Sequence, residues 1–229
     1  MYLLFESFML FTCIGLIAVF YQELFWWTVL LKSITSLFFV LAGAYGYVHN
    51  KNNRTFSRTM LAAFICSMLG DIFLALDKTQ GILFVLGVVS FAAAHILFSF
   101  TFCRASSLSK TDIAGIAAVF AGTLLLLYFG DFEFHGLLPV LIIYAVIISF
   151  MSVKALSMWR CREAGKKPIL LIMSGGVFFI LSDVVLLFWL FGKDMPKEVQ
   201  AVNWILYYLA QGCLTAAVCQ PGFLLHDKK

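Results

Sequence analysis

The chain has 229 residues, 62% of them hydrophobic and 12% charged, with a net charge of +4 and a mean hydropathy of +0.98. Soluble domains have about 25% charged residues, so this chain holds about half the charge needed to cover a surface that faces water. The composition therefore excludes a soluble globular protein, a disordered chain, a nucleic-acid binder and a secreted disulfide scaffold. It predicts a multi-spanning membrane protein whose partners do not include nucleic acid.

Eight apolar stretches are long enough to cross a bilayer, which takes about 20 residues. They cover roughly Phe5–Tyr21, Leu24–Val48, Arg58–Leu76, Gly81–Phe102, Ile113–Phe129, Leu137–Met158, Ile169–Phe191 and Val199–Leu225. All eight should be helices, because an open sheet cannot satisfy its backbone groups in lipid and no alternating pattern indicates a barrel. The connections are short. The sequence thus predicts an all-α, polytopic protein with a single integral-membrane domain over residues 1–229.

The basic residues are unevenly distributed between the two ends of the predicted spans. With eight spans, both termini lie on the same side as the connections after spans 2, 4 and 6. That side holds twelve of the 16 basic residues: Lys51, Arg54, Arg58, Arg104, Lys110, Lys154, Arg160, Arg162, Lys166, Lys167, Lys228 and Lys229. The opposite side holds Lys78, Lys193 and Lys197, and Lys32 lies within a span. Because cytoplasmic loops are enriched in lysine and arginine, both termini are expected in the cytoplasm.

An internal repeat is visible in the polar residues of the spans. The segment Leu69–Leu74, which contains Asp71, resembles Leu181–Leu186, which contains Asp183, at an offset of 112 residues. The same offset relates other polar positions, Lys32 to Tyr144 and His95 to Tyr207. The halves, approximately 1–112 and 113–225, would each have four helices and share one orientation, related by an axis along the membrane normal. This 4+4 parallel repeat predicts that Asp71 and Asp183 face each other across a central interface.

Ionisable residues lie well inside the predicted spans, namely Lys32, Asp71, His95 and Asp183. Each charged group at the centre of a spanning helix costs about 2.5–3.5 kcal/mol, so such residues usually face a bundle interior and have a function. At about 1.5 Å per residue, five polar side chains fall in one layer roughly 8–12 Å below the non-cytoplasmic surface: Lys32, Asp71, Tyr144, Asp183 and Tyr207. His95 is expected deeper, toward the cytoplasmic side. The layer predicts a polar cavity.

A polar stripe also runs along one face of span 8, where residues recur at i+4: Asn203, Tyr207, Gln211 and Thr215. Each of these features has a purely structural alternative. Lys32 and either aspartate could form an ion pair that locks helices together, and the stripe could serve interhelical hydrogen bonding. His95 is the one histidine in a predicted span, whereas a catalytic zinc site needs about three protein ligands. We therefore expect no metal site and no cofactor.

Two acids and one cation in a buried layer indicate a particular chemistry. One carboxylic acid and one carboxylate can together protonate a substrate, stabilise a developing cation and activate water. Because the cavity lies within the membrane, the substrate is expected to be a lipid.

At these residues the chain resembles the YhhN-like lysoplasmalogenase family of eight-span membrane proteins. The matching stretches follow the family order: Lys32 in span 2, Gly70–Leu74 in span 3, Phe84-x-x-Gly87-x-x-Ser90-Phe91-x-x-Ala94-His95 in span 4, Pro139-x-x-x-x-Tyr144 with Met151 and Ala155 in span 6, Gly176-x-x-Phe179-x-x-Ser182-Asp183 in span 7, and Tyr207-Tyr208-x-x-Gln211 in span 8. They are spread over most of the chain.

The resemblance implies hydrolysis of the vinyl-ether bond of lysoplasmalogen, which releases a fatty aldehyde and glycerophosphoethanolamine or glycerophosphocholine. The substrate would be a lysophospholipid among the surrounding membrane lipids. Asp71 and Asp183 would be the catalytic pair. One, protonated, would donate to the β-carbon, and the other would stabilise the oxocarbenium ion and guide water, much as paired carboxylates do in glycosidases. Either could be the acid; Asp71 is preferred, since Lys32 could equally pair with Asp183.

The resemblance also implies supporting and substrate-binding residues, namely Lys32, His95, Tyr144, Tyr207, Tyr208 and Gln211. Lys32 would hold the ionised aspartate or reach the phosphate. The tyrosines at positions 144 and 207, together with Gln211, would position the glycerol and the water. As an integral multi-pass protein, the molecule would lie in the inner or plasma membrane of a bacterium or in the endoplasmic reticulum of a eukaryote.

Two other functions compete with hydrolysis. Intramembrane Asp–Lys sets and parallel repeats are also features of proton-coupled transporters of small molecules or lipids. However, transporter sites are typically built from a corresponding pair of Pro- or Gly-interrupted helices, and the four prolines of this chain all lie near span ends. In the third alternative, a structural or sensing membrane protein, the Asp–Lys set only holds helices together.

Overall fold

The computed structural model describes residues 1–50, 53–161 and 165–220, and these residues form eight α-helices. The helices are α1 (Tyr2–Tyr21), α2 (Phe25–His49), α3 (Arg54–Leu76), α4 (Ile82–Ala105), α5 (Lys110–Phe129), α6 (Leu138–Leu156), α7 (Lys166–Phe191) and α8 (Lys197–Val218). A short 3-10 helix, Ser157–Arg160, extends α6. All eight are long and apolar enough to cross a membrane, which confirms the predicted all-α fold class and the eight spans. Predicted span 8 runs to Leu225, and its last residues, 221–225, lie outside the described part of the chain.

Several helices begin before the predicted spans, because their first turns are polar. α5 is the clearest case. Ser109 caps the helix by accepting a hydrogen bond from the Asp112 backbone N–H, and the Asp112 carboxylate accepts one from the Ser109 N–H in return. This reciprocal capping box satisfies N–H groups that the first turn leaves unpaired. Hydropathy detects only the apolar part of the helix, so the predicted span begins at Ile113.

Six of the helices form a closed ring in the order α2, α3, α4, α6, α7 and α8, each packing against its two neighbours. α1 lies outside the ring against α2 and α8, and α5 lies outside it against α6. A shift by one predicted repeat unit of four helices matches α1 with α5, α2 with α6, α3 with α7 and α4 with α8. The packing therefore supports the predicted 4+4 repeat, which stays a prediction, as does the cytoplasmic location of the termini. Among the basic residues behind that location, Lys51, Arg162, Lys228 and Lys229 lie outside the described residues.

Glycines allow the two aspartate-bearing helices to approach their neighbours closely. A Cβ atom on Gly70 would lie 2.7 Å from the ring of Phe91, so α3 and α4 could not keep their present separation with a larger residue. On α7, a Cβ atom on Gly176 would lie 2.5 Å from the Cβ of Ala155 on α6. Small residues at such contacts are the usual means of close helix packing in membranes. The close approach brings Asp71 and Asp183 toward the centre of the ring.

We call the end of the bundle that holds the α1–α2 connection the α1–α2 end. At the opposite end, a charged cluster ties α5 to the ring. Lys154, which is 0% exposed, donates hydrogen bonds to the Ser106 carbonyl at 2.9 Å and to Asp112 Oδ2 at 3.3 Å. Arg160 donates to both carboxylate oxygens of Asp112. Along α5, only Asp112 and Leu127 are buried, so this cluster is a principal attachment of the helix.

Replacing Asp112 with alanine should lower the free energy of unfolding by about 3–5 kcal/mol, because the Lys154 ammonium group would stay buried with only backbone carbonyls as partners. The measurement is the thermal unfolding midpoint of the purified protein in detergent. The matched control is Asp131→Ala, since Asp131 is 80% exposed where it pairs with Lys193 and exposed pairs contribute little. An Asp112→Ala midpoint equal to that of the control would contradict this role of the cluster.

Candidate active site

Asp71 lies at the centre of the ring, 1% exposed, and has hydrogen-bonding and charged partners on two neighbouring helices. Its Oδ1 atom lies 3.4 Å from the ammonium nitrogen of Lys32 on α2. Its Oδ2 atom accepts hydrogen bonds from the hydroxyls of Ser36, also on α2, and Tyr207 on α8, both at 2.6 Å. Hydrogen bonds to a carboxylate are short and strong when it is ionised, and a cation strengthens them further. These partners therefore favour the ionised form of the Asp71 carboxyl group.

Two more of the predicted supporting residues hold this network in place. Gln211, one turn after Tyr207 on α8, donates to the Tyr207 hydroxyl at 3.1 Å. The Tyr208 hydroxyl lies 3.3 Å from Ser36 Oγ and donates to the backbone carbonyl of Lys32 at 3.4 Å. Both residues bond to groups that themselves contact Asp71. They fix the donors in position.

Asp183 has a different set of partners. Its Oδ2 atom accepts a hydrogen bond from the Tyr144 hydroxyl on α6 at 3.1 Å. His95 on α4 places Nε2 at 2.9 Å from the Tyr144 hydroxyl and 3.6 Å from the same Asp183 oxygen. Within the described residues, no hydrogen bond or ion pair joins Lys32 to Asp183. The lysine is therefore the partner of Asp71, which the sequence left open.

His95 is predicted to lie deeper than the layer of polar residues, and its side chain nevertheless contacts Tyr144 and Asp183 of that layer. Helical side chains lean toward the N-terminus of their own helix. α4 and α6 begin at the α1–α2 end, so His95 and Tyr144 lean toward that end. α7 begins at the opposite end, so Asp183 leans the other way and meets them. A depth estimate from backbone position alone misses this convergence.

The contacts of the two aspartates correspond at the offset of 112 residues. Asp71 is bound by Lys32 from its own half and by Tyr207 from the other half. The residues at the matching positions, Tyr144 and His95, surround Asp183 in the same way. The two carboxylates thus occupy equivalent places but face unlike side chains.

Three adjoining cavities surround the aspartates. The central cavity, about 20 Å³, is lined by both carboxylate residues together with Lys32 and Tyr207. A volume of this size accommodates about one water molecule. The prediction that the two aspartates come together is supported by this shared cavity, although each keeps its own hydrogen-bond partners.

The other two cavities differ sharply in chemistry. The apolar cleft, about 90 Å³, lies among α4, α5, α6 and α7 and reaches Tyr144 and Asp183. Nearly all its other lining residues are aliphatic or aromatic. The vestibule, about 400 Å³, lies at the α1–α2 end and is lined by charged, polar and aromatic residues that include Lys32. Leu74 and Leu186 line all three cavities, so the three spaces adjoin.

The polar stripe of α8 divides between the site and its surroundings. Tyr207 and Gln211 join the Asp71 network, whereas Asn203 donates to the carbonyl and hydroxyl of Ser182 and so binds α8 to α7. Thr215 donates to the carbonyl of Gln211 in its own helix. The structural alternative for the stripe is therefore correct for part of it. Among the described residues, no three His, Cys, Asp or Glu side chains lie together where they could hold a metal ion.

Comparison with known proteins places this geometry in a family. The sequence profile of the YhhN family matches residues 27–218, a range that includes every residue of the site. The chain belongs to the YhhN family.

A relative of this YhhN family protein is a Sus scrofa protein named "Lysoplasmalogenase TMEM86B", which is 27% identical over 170 residues. The aligned region covers 72% of this chain and 65% of the relative, so the chain spans about two thirds of the relative's length. No solved structure matches the chain significantly. With its eight membrane-spanning helices, the YhhN family protein is an integral multi-pass membrane protein.

Removing the charge of Asp71 should destabilise the YhhN family protein more than removing that of Asp183. Asp71→Asn leaves the buried Lys32 ammonium without its acid, a change that typically costs about 3–5 kcal/mol. In the part of the chain that the structure describes, Asp183 has no lysine or arginine partner, so Asp183→Asn should lower the free energy of unfolding by less. The measurement is thermal unfolding in detergent.

The double variant Lys32→Met/Asp71→Asn is the control, because it removes both charges and should recover much of the stability that Asp71→Asn loses. Equal losses in the two single variants, or no recovery in the double variant, would show that Lys32 is not the partner on which Asp71 depends.

Proposed function

We propose that this protein is a lysoplasmalogenase, which hydrolyses the vinyl-ether bond of a lysophospholipid to a fatty aldehyde and glycerophosphoethanolamine or glycerophosphocholine. The name of the Sus scrofa relative supports the reaction. The observation that carries the proposal is structural. Two carboxylates with unlike partners line one cavity of about 20 Å³, between an apolar cleft and a polar vestibule.

The unlike partners assign different roles to the two aspartates. Asp71 accepts from two hydroxyls and faces the Lys32 cation, which favours the ionised carboxylate. Asp183 faces the phenol of Tyr144 and the imidazole of His95, with no lysine or arginine among its contacts in the described residues. Asp183 is therefore the proton-carrying acid and Asp71 the carboxylate. This reverses the order that the sequence favoured, because Lys32 pairs with Asp71.

The reaction balances with one water and two carboxyl groups. Asp183 donates its proton to the β-carbon, where the π electrons of the double bond form the new C–H bond and leave an oxocarbenium ion. The Asp71 carboxylate stabilises this cation and accepts a proton from the water that adds to the α-carbon. Asp71 then protonates the departing glycerol oxygen, while the hydroxyl proton of the hemiacetal returns to Asp183. The products are the aldehyde and the free glycerol hydroxyl, and both aspartates regain their starting states.

The remaining site residues orient these groups. Tyr207, held by Gln211, fixes the carboxylate of Asp71 so that one face remains toward the central cavity. Tyr144 and His95 form a short chain of hydrogen-bonding groups next to Asp183. When Asp183 is protonated it can donate to Tyr144, whose hydroxyl can donate to His95 Nε2. When Asp183 is ionised, the Tyr144 hydroxyl instead donates to the Asp183 carboxylate. Rotation of the hydroxyl proton thus keeps Tyr144 hydrogen-bonded to Asp183 in both states of the acid.

The transport alternative lacks comparable support. Helices α3 and α7, which carry the two aspartates, run without interruption past the site. Transporters that bind substrate at the membrane centre typically do so at broken helices.

The first test is aldehyde release by purified protein in detergent, without a membrane gradient. Wild type should cleave the vinyl-ether lysolipid and leave the ester-linked lysolipid intact. Asp183→Asn should lower the rate about a hundredfold or more, because an amide cannot serve as the general acid. In D₂O, the aldehyde should carry deuterium on the carbon next to the carbonyl, since the acid delivers a solvent-exchanged proton to that atom.

Activity in the Asp183→Asn variant close to that of wild type would overturn the assignment of the acid. The double variant Lys32→Met/Asp71→Asn tests the carboxylate in a protein whose fold does not depend on the ion pair, and it too should be inactive. The ester-linked lysolipid is the control for a general lipase activity, because its cleavage needs no protonation at carbon.

A further inference from the structure

The vestibule contains polar groups that the catalytic chemistry does not use. It lies at the α1–α2 end and has a volume of about 400 Å³. Binding sites for small molecules typically have volumes of about 300–1,000 Å³. Its walls come from α1, α2, α3, α7 and α8. Four aromatic residues line it, Phe20, Phe25, Trp189 and Trp204, together with charged and amide side chains.

Two buried side chains of the vestibule carry polar atoms without a partner. Trp204 is 4% exposed, and within the described residues its indole Nε1–H has no acceptor. Gln200 is 5% exposed, and its carbonyl Oε1 likewise has no donor in that part of the chain. Buried polar groups are nearly always paired, and an unpaired one costs about 1–3 kcal/mol. Because both side chains line the vestibule, a polar ligand bound there could supply the missing acceptor and donor.

A pair of opposite charges stands at the mouth of the vestibule. Lys197, at the start of α8, donates to Glu23, in the α1–α2 connection, at 2.6 Å. This hydrogen bond lowers the pKa of the Glu23 carboxyl below its usual value, so Glu23 is ionised at neutral pH. With Lys32 at the inner end, the vestibule presents two cations and one anion around an aromatic wall.

We propose that the vestibule is the binding site of a zwitterionic phospho-head group, with Lys197, Lys32 and the Trp204 N–H facing the phosphate and Glu23 facing the ammonium. This inference rests on the proposed function, because it assigns the head group of the same lysolipid. The phosphate and ammonium would exchange partners with the existing Glu23–Lys197 pair. The aromatic residues would add attraction for the cationic end of the head group.

The position of the vestibule matches the chemistry of the substrate. Three glycerol carbons separate the vinyl-ether oxygen from the phosphate ester oxygen, so the phosphate must lie within one glycerol length of the reacting bond. Lys32 and Trp204 line both the vestibule and the central cavity that holds the aspartates. A lipid whose ether lies where the three cavities adjoin, next to the water-sized central cavity, therefore has its phosphate at the inner wall of the vestibule.

The opposite orientation of the lipid is excluded by charge. The apolar cleft is lined by residues such as Leu126, Ile148 and Leu187, and none of its lining residues is a cation. A phosphate placed there would be an unpaired charge in an apolar environment, which is very costly. The cleft instead suits the hydrocarbon chain, which would pass from Asp183 between the helices. The lipid thus lies with its head toward the α1–α2 end and its chain in the cleft.

The decisive experiment compares two substrates that differ only in the head group: an alkenyl-lysophosphatidylethanolamine and the corresponding alkenylglycerol, which has no phosphate. For the phospholipid, Trp204→Phe and Lys197→Ala should each raise KM about fivefold with little change in kcat. A factor of about five is what the loss of one hydrogen bond to the bound lipid typically produces. Trp204→Phe keeps an aromatic ring and removes the N–H. With the alkenylglycerol as substrate, neither variant should change KM.

Lys193→Ala is the matched control for Lys197→Ala. Lys193 is an exposed lysine at the same end of the bundle that pairs with Asp131. Its removal should leave KM unchanged for both substrates. The head-group site is overturned if the vestibule variants leave KM unchanged for the phospholipid, or if they raise KM by the same factor for the alkenylglycerol.

A binding measurement separates this inference from the proposed reaction. The saturated alkyl-ether analogue of the phospholipid has no vinyl ether and cannot be cleaved by protonation at carbon. It should raise the thermal unfolding midpoint of wild type, and more of it should be needed with Trp204→Phe. If wild type releases no aldehyde but binds this lipid in that way, the proposed function fails and the head-group site stands. If it releases aldehyde but Trp204→Phe alters neither KM nor binding, the head-group site fails alone.

The chain assignment has its own variant, Thr123→Phe, on the exposed helix α5 where it lines the cleft. A phenylalanine there should narrow the cleft and raise KM for long alkenyl chains more than for short ones. Equal effects on long and short chains would overturn the placement of the chain in the cleft.

Discussion

The buried pair of Lys32 and Asp71 is the interaction on which the rest of the bundle depends. A carboxylate in the middle of a membrane protein is stable only with a cation and hydrogen-bond donors within reach, because water is not there to solvate it. Here the cation and one hydroxyl come from α2 and the second hydroxyl from α8. Three helices must therefore keep fixed separations, and Gly70 permits the close approach of the fourth, α4.

The contacts of the two aspartates correspond at an offset of 112 residues but involve different side chains. Each aspartate takes one partner from the preceding helix of its own half and one from the last helix of the other half. Lysine and tyrosine fill these places around Asp71, whereas tyrosine and histidine fill them around Asp183. Equivalent backbone positions thus give two carboxylates with different surroundings. Unlike surroundings favour the protonated form of one carboxyl group and the ionised form of the other, which divides the roles of acid and carboxylate between them.

The two larger cavities would orient a lipid bound at the site, because one is polar and the other is apolar. A membrane lipid is itself divided into a charged head and an apolar chain, and the vestibule and the cleft divide in the same way. The carboxylates lie where the two spaces adjoin, which is where the bond between head and chain of a lysolipid would fall. The arrangement joins the α1–α2 end of the bundle to the apolar cleft between the helices.

Hydropathy and the cost of intramembrane charge are local properties of the chain, so the amino-acid pattern alone predicts the membrane class, the eight helices and the candidate polar residues. Counting residues along helices of known rise also predicts the layer of Lys32, Asp71, Tyr144, Asp183 and Tyr207. The packing of the helices against one another pairs Lys32 with Asp71, brings His95 to Asp183 and places Trp204 and Gln200 in the wall of the vestibule. These contacts depend on how helices rotate and lean against one another, and no pattern within a single helix encodes that rotation.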